Sequence, residues 1–267
     1  MIFLIEQSCQ ESPIIEGITS FFIKQWYPFK KVFTFEGEAH EESSGTILEL
    51  PGPVICYGSV SLNKVALKHN WLPGCFYSPN HSVIQYIENY KQNYLNYYSV
   101  ICKLYEVDYK NLPEFFIRPL TDQKQFNGKV YSGALFEGWF QRYTKCNEDL
   151  KYVPPNTLVL VAASQDIAEE YRFFVVKNKI VAHSLYRQNG KLISNPEVPK
   201  AALSFADTMI NKVWSPCESF VIDIALLGNG QYRVIETNQL GCSGLYACNY
   251  EAIFSALYKA YSSPETK

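Results

Sequence analysis

FVIDIALLGNGQYRVIETNQLGCSG, residues 220–244, sets two short apolar runs on either side of Gly228-Asn229-Gly230. Phe220 to Leu227 and Tyr232 to Glu236 are rich in Ile, Val and aromatic residues, and a Gly-Asn-Gly between such runs folds one strand back on the next. The hairpin brings Asp223, which interrupts an apolar strand, across from Glu236. A carboxylate in that position is costly to bury unless a cation lies against it. Asp223, Glu236 and Asn238 together offer two carboxylates and an amide oxygen. These are hard donors suited to Mg²⁺ bridged to phosphates, with Mn²⁺ as the alternative. The competing reading is an Asp223 that faces solvent or pairs with a nearby Lys or Arg. The Glu-x-Asn run entering a Gly-rich loop favours the metal.

Upstream, YRFFVV (171–176) and IVAHSLY (180–186) form another expected hairpin around Lys177-Asn178-Lys179. It carries Arg172 and, at its far end, Arg187; Arg172 could equally form ordinary salt bridges with Glu169 or Glu170. Further upstream, in FIRPLTDQKQFNGK (116–129), a strand over 115–118 ends at the cation Arg118 and stops at Pro119. The loop after it holds Lys124 and Gly128, a plausible cradle for polyphosphate. It lacks the GxxxxGK[ST] and GxGxxG spacings, so those two nucleotide-binding classes have no support. Another strand is expected over 157–162, entered from Pro154-Pro155, with helices over 134–143, 196–213 and 247–261.

The first hundred residues alternate short buried-type strands (2–5, 32–35, 54–57) with helices over 61–69, capped by Ser61, and 81–99. That alternation predicts a small α/β domain with a largely parallel sheet. With 267 residues, 47% of them hydrophobic, the chain is expected to make two or three packed units and not a disordered protein. A balance of 24 Lys+Arg against 26 Asp+Glu, without basic runs, argues against nucleic acid held by bulk charge. Apolar runs fall far short of the roughly 20 residues of a membrane span. The opening MIFLIEQS reads as a strand and not a signal peptide. The eight cysteines are scattered through apolar segments with no Cys-x-x-Cys pair, so a reduced cytoplasmic protein is expected.

FIRPLTDQKQFNG, EYRFFVV, SLYR, VIDIA and IETNQLGCSGLY, in this order, resemble the ATP-grasp superfamily, and in particular a clade with an Arg and Lys signature in the small lobe. The resemblance spans roughly residues 100 to 260. It implies an α/β (α+β) fold: an α/β domain over 1–100 preceding an ATP-grasp domain with a small lobe over 101–163 and a large lobe over 164–267. By the same resemblance Arg118 binds the nucleotide phosphates and Lys124 covers them. The strand holding Val161, Ala162 and Ala163 is the hinge that reads adenine, and either Glu169 or Glu170 lies nearest the ribose or substrate. Arg172 and Arg187 face the γ-phosphate and an acyl-phosphate, and Asp223, Glu236 and Asn238 hold the metal. Arg118 departs from the usual Lys of the family.

The activity implied is an ATP- and Mg²⁺-dependent carboxylate–amine ligase working through an acyl-phosphate. Its partners are a small molecule or peptide carrying the carboxylate and an amine acceptor, with no membrane or nucleic acid; relatives of this kind often form homodimers. The alternatives are a phosphotransferase that passes phosphate to a hydroxyl, and a nucleotide-binding module without turnover. An aromatic-rich binding protein is a weaker rival, because most of the 20 Tyr and 17 Phe sit at core positions of the expected elements. None of His40, His69, His81 and His183 stands in a catalytic setting.

Overall fold

Three sheets carry the chain in the computed structural model, which describes residues 1–7, 12–121, 126–145 and 152–262. The first comprises β1 (Ile2–Glu6), β2 (Phe29–Phe35), β3 (Glu38–Glu41), β4 (Val54–Tyr57) and β5 (Pro73–Gly74), ordered β3-β2-β1-β4-β5. β1 runs parallel to β2 and β4, whereas β3 returns antiparallel to β2. Phe3 to Ile5 and Val54 to Tyr57 are buried, as continuous apolar runs are when helices cover both faces. On one face, Ile15, Ile18 and Phe22 of α1 (Ser12–Gln25) pack against Phe3 and Ile5. On the other, Leu62, Val65 and Ala66 of α2 (Val60–Lys68) meet Leu4 and Val54.

Several boundaries differ from the sequence pattern for local reasons. Ser59, not Ser61, caps α2: its hydroxyl accepts from the backbone N–H of Ser61 and Leu62. The helix expected over 81–99 is the shorter α3 (Val83–Tyr90). It stops where Lys91 turns to φ 50°, after which Leu95 N–H donates to Val234 O at 2.8 Å and the chain becomes extended. The helix expected from 196 begins only after Pro199, as α5 (Lys200–Thr208), and widens into a π turn over Met209–Val213. Val198 precedes a proline and is thereby biased out of the helical region.

The second sheet is antiparallel, with β6 (Ser99–Lys103), β7 (Glu114–Pro119), β8 (Lys129–Ser132) and β9 (Leu158–Ala163) ordered β6-β9-β7-β8. Its core is Phe115, Ile117 and Val159 under Phe136 of α4 (Gly133–Tyr143). The third sheet holds β10 (Ile167–Val176), β11 (Lys179–Gln188), β12 (Lys191–Asn195), β13 (Phe220–Leu227) and β14 (Tyr232–Asn238), ordered β12-β11-β10-β13-β14. Lys177 and Asn178 both have positive φ, 49° and 59°, which is the turn that closes a two-residue hairpin.

Strand alternation gives the third sheet two unlike faces. Tyr171, Phe173, Val175, Ile222 and Ile224 pack against Ala202, Ala206 and Met209, together with Tyr86, Tyr90 and Tyr94. On the opposite face, Phe174, Val176 and Val221 pack against Phe254 and Leu257 of α6 (Tyr250–Tyr261). Phe254 also meets Phe3 and Phe22 of the first domain at ring-centroid distances of 5.6 and 5.0 Å. α6 therefore welds the first sheet to the third. Cys56, Cys75, Cys102, Cys217, Cys242 and Cys248 are free thiols, and among the described residues no helix is long and apolar enough to cross a membrane.

Candidate active site

Towards one end of β10 the face that buries Phe174 and Val176 changes character and presents Glu170 and Arg172. These residues line a cavity of about 630 Å³ between the second and third sheets. Arg118 and Lys129 reach it from β7 and β8, Arg187 from β11, Asp223 from β13 and Glu236 from β14. Two bulges shape its floor. Glu170 pairs with Arg187 but Tyr171 with Leu185, so Tyr186 is the extra residue. Asp223 pairs with Glu236 but Ile224 with Val234, leaving Ile235 extra. A bulge re-aims side chains, and Tyr186 and Ile235 accordingly line the cavity beside Arg187 and Glu236.

Arg172 and Asp223 face each other across paired strands and form a fork: Nε donates to Oδ1 at 2.9 Å and Nη2 to Oδ2 at 2.7 Å. Nη1 donates to Gly244 O at 3.1 Å, and the guanidinium lies 5.4 and 5.0 Å from the ring centroids of Tyr186 and Tyr246. Burial works against the Arg172 charge, but the Asp223 carboxylate outweighs it and holds the guanidinium protonated. Removing one partner of such a buried pair would strand the other, at about 3–5 kcal/mol. Arg118 crosses from the other sheet, and its Nη1 donates to Glu236 Oε2 at 3.1 Å. Asn238 lies between the two carboxylates. Its Nδ2 donates to Asp223 Oδ2 at 3.3 Å and to Glu236 Oε1 at 3.2 Å.

A second cluster surrounds Glu170, which accepts from Tyr186 Oη at 2.5 Å and lies 3.6 Å from Arg187 Nε. Behind β14, His81 Nδ1 contacts Thr237 Oγ1 at 2.7 Å, and Tyr86 Oη donates to Thr237 O at 2.8 Å. Burial pulls the His81 imidazole down to about 4, against the raising influence of Glu236, so this ring is neutral at neutral pH.

Arginines and a lysine opposed to carboxylates, in a cleft between two antiparallel sheets, are the setting in which the family comparison becomes decisive. The sequence profile of an ATP-grasp domain, the second family of the Arg- and Lys-signature clade, matches residues 99–256. This chain belongs to the ATP-grasp superfamily. Solved ATP-grasp structures share the fold along the whole chain. D-cycloserine synthetase DcsG matches with a TM-score of 0.61 at 10% identity, covering 97% of this chain and 99% of that one. D-alanyl-alanine synthetase A from Vibrio cholerae matches at 0.57 and 10% identity, covering 98% of each chain. The macrocyclase MdnC from Microcystis aeruginosa, solved with its precursor peptide MdnA, matches at 0.55 and 11% identity, covering 98% and 100%. A search of curated proteins finds no match.

Within this ATP-grasp fold the expected site residues divide into groups. Arg118, Ala163, Glu170, Arg172, Arg187, Asp223 and Glu236 meet at one cavity, with Asn238 bonded to two of them. Val161 and Ala162 do not line it: both lie inside the ladder, between β6 and β7, with buried side chains. The chain reaches the cavity one residue later, at Ala163, Gln165 and Ile167. Glu169 points to the opposite face from Glu170 and accepts from Tyr171 Oη and Gln188 Nε2. Lys124 lies outside the described residues. Lys129, Tyr186 and Tyr246 line the cavity without having been singled out in the sequence. Lys129 directly follows Gly128, and that adjacency was the available signal.

The donor set also fits a divalent cation. Among the described residues no group of three or more His, Cys, Asp or Glu converges on one point, so the third donor must be Asn238. Its amide nitrogen already occupies a point within 3.3 Å of an oxygen from each carboxylate. Two carboxylates and an amide are hard oxygen ligands for Mg²⁺ or Mn²⁺.

Proposed function

We propose that this ATP-grasp protein is an ATP- and divalent-metal-dependent ligase that joins a carboxylate to an amine through an acyl-phosphate. The observation that carries the reading is the single cavity in which Arg118, Lys129, Arg172 and Arg187 oppose Glu170, Asp223 and Glu236. Phosphoryl transfer asks a protein chiefly for positioning and neutralisation of charge, and this cavity is built for both. Arg118 and Lys129 are placed to bind the nucleotide phosphates. The chain from Ala163 to Ile167 borders the base, and Glu170 the ribose or substrate. Asp223, Glu236 and Asn238 hold the metal, which when bound offsets the charge gathering on the phosphoryl oxygens.

In this reading a substrate carboxylate oxygen attacks the γ-phosphorus and the bond to the β–γ bridging oxygen breaks, releasing ADP. The amine nitrogen then attacks the acyl carbon, phosphate leaves, and the amine proton passes to solvent. Arg187, held less tightly than Arg172, is the arginine free to follow the transferred group. We assign the pre-grasp domain to 1–100 and the two lobes to 101–163 and 164–267, with α3 lending its tyrosines to the large-lobe core. Free thiols suit a reducing compartment such as the cytoplasm.

The test is ADP release over a panel of carboxylates and amines, with mass spectrometry of the products. ADP and a new amide in equal amounts are expected, both lost in Glu236→Gln. ADP with a phosphate ester of a hydroxyl acceptor, and no amide, would instead make the chain a phosphotransferase.

A further inference from the structure

All four oxygens of the two metal-binding carboxylates are taken by side-chain N–H groups. Asp223 Oδ1 accepts from Arg172, Oδ2 from Arg172 and Asn238, Glu236 Oε1 from Asn238, and Oε2 from Arg118. A metal at this site must displace some of them. The two arginines are held very differently. Arg172 has three hydrogen bonds, two flanking tyrosine rings and 8% exposure. Arg118 makes one 3.1 Å contact with Glu236, from the other sheet, with its side chain 19% exposed. It is the arginine that can leave.

We infer that Arg118 is a resident cation on Glu236, and that a divalent metal gains Glu236 and Asp223 only when a polyphosphate has drawn Arg118 away. The inference rests on the proposed function. Charge favours the same order: the cavity lining carries Arg118, Lys129, Arg172 and Arg187 against Glu170, Asp223 and Glu236, an excess of cations that attracts a polyphosphate and repels a free metal ion. Once Arg118 bonds to phosphate, Glu236 Oε2 is released. Rotation of the Asn238 amide about its last bond then replaces Nδ2 by Oδ1 between the carboxylates. Arg172 stays on Asp223 throughout, leaving Oδ2 as the shared oxygen. Nucleotide and metal thus bind with positive coupling, because each removes a cost of the other.

The experiment measures two binding reactions separately on the full chain. Mn²⁺ is titrated without nucleotide by electron paramagnetic resonance of the free ion, and AMP-PNP is titrated in EDTA by calorimetry. Arg118→Gln should tighten Mn²⁺ by about fivefold or more, at the low end of usual coupling factors, and weaken metal-free AMP-PNP by a similar factor. Arg187→Gln, the same charge change in the same cavity but on Glu170, should leave Mn²⁺ affinity within about twofold, as expected for a screened charge. Arg118→Lys should restore most of the wild-type behaviour. Equal Mn²⁺ affinities in wild type and Arg118→Gln, or weakening of both ligands, would overturn the inference while AMP-PNP binding to the wild type upheld the nucleotide site. If the wild type bound no AMP-PNP with or without Mg²⁺, the parent reading would fall and this one with it.

Discussion

Asp223 was conspicuous in the sequence because everything beside it in FVIDIALL is apolar, and a carboxylate in such a run needs a cation. Which cation could not be read. Arg172 became its partner through the register of β10 against β13, and Arg118 came to Glu236 from a different sheet. The same limit applied to His81, an ordinary residue in the sequence that the fold buries behind β14. Its imidazole is held near 4, below the ordinary 6.5. Above pH 6.5 the ring is neutral in both folded and unfolded chains. As pH falls from 6.5 towards 4 only the unfolded chain takes up the proton, so stability is lost across that window, by about 3 kcal/mol in full. His81→Gln, which keeps a polar partner for Thr237 but cannot titrate, should flatten the fall of the urea midpoint between pH 6.5 and 4. An unchanged slope would mean that His81 is accessible to protons in the folded protein.

Among the secondary-structure elements, the hairpins were the most legible features, since their turns and flanking β-branched residues lie within a few positions of one another. Phe220 to Leu227 and Val54 to Tyr57 form strands with the expected bounds. Helix ends were less legible, because several serines near each start could serve as caps. α2 shows this: Ser59 and Ser61 are both plausible, and the extended backbone of Ser59, at φ −75° and ψ 171°, decides it. Ser59→Ala should therefore cost about 1 kcal/mol, and Ser61→Ala less than about 0.5, in the denaturation midpoint. Equal losses would place the cap elsewhere. The bulges at Tyr186 and Ile235 had no sequence signal, as an extra residue looks like one more step of the alternation until the partner strand is known. They nonetheless decide which neighbours of Arg187 and Glu236 enter the cavity. α1 was missed because SPIIEGITSFFIKQ mixes β-branched and aromatic residues that individually favour strands.

Across the whole molecule, the motifs between Arg118 and Tyr246 were separately weak, and their order carried the reading. The structure turns that order into proximity, with side chains from β7, β8, β10, β11, β13 and β14 meeting at one cavity. What the sequence could not convey was how the first domain joins the others. Phe254 touches Phe3, Phe22 and Tyr57 across α6, and Gly58 N–H donates to Gly241 O at 2.8 Å, just beyond the ligand strand. The site is therefore braced from both sides, and nucleotide bound there should be felt by the entire fold. The most direct measurement is thermal unfolding of the full chain with Mg·AMP-PNP, beside Mg²⁺ alone and the Glu236→Gln variant. At a hundred times its dissociation constant the nucleotide should add about 2.7 kcal/mol to the folded state and raise Tm by several degrees. That rise is expected in the wild type, with its loss or sharp reduction in Glu236→Gln. An unmoved wild-type Tm at millimolar Mg·AMP-PNP would contradict a nucleotide site in this cavity.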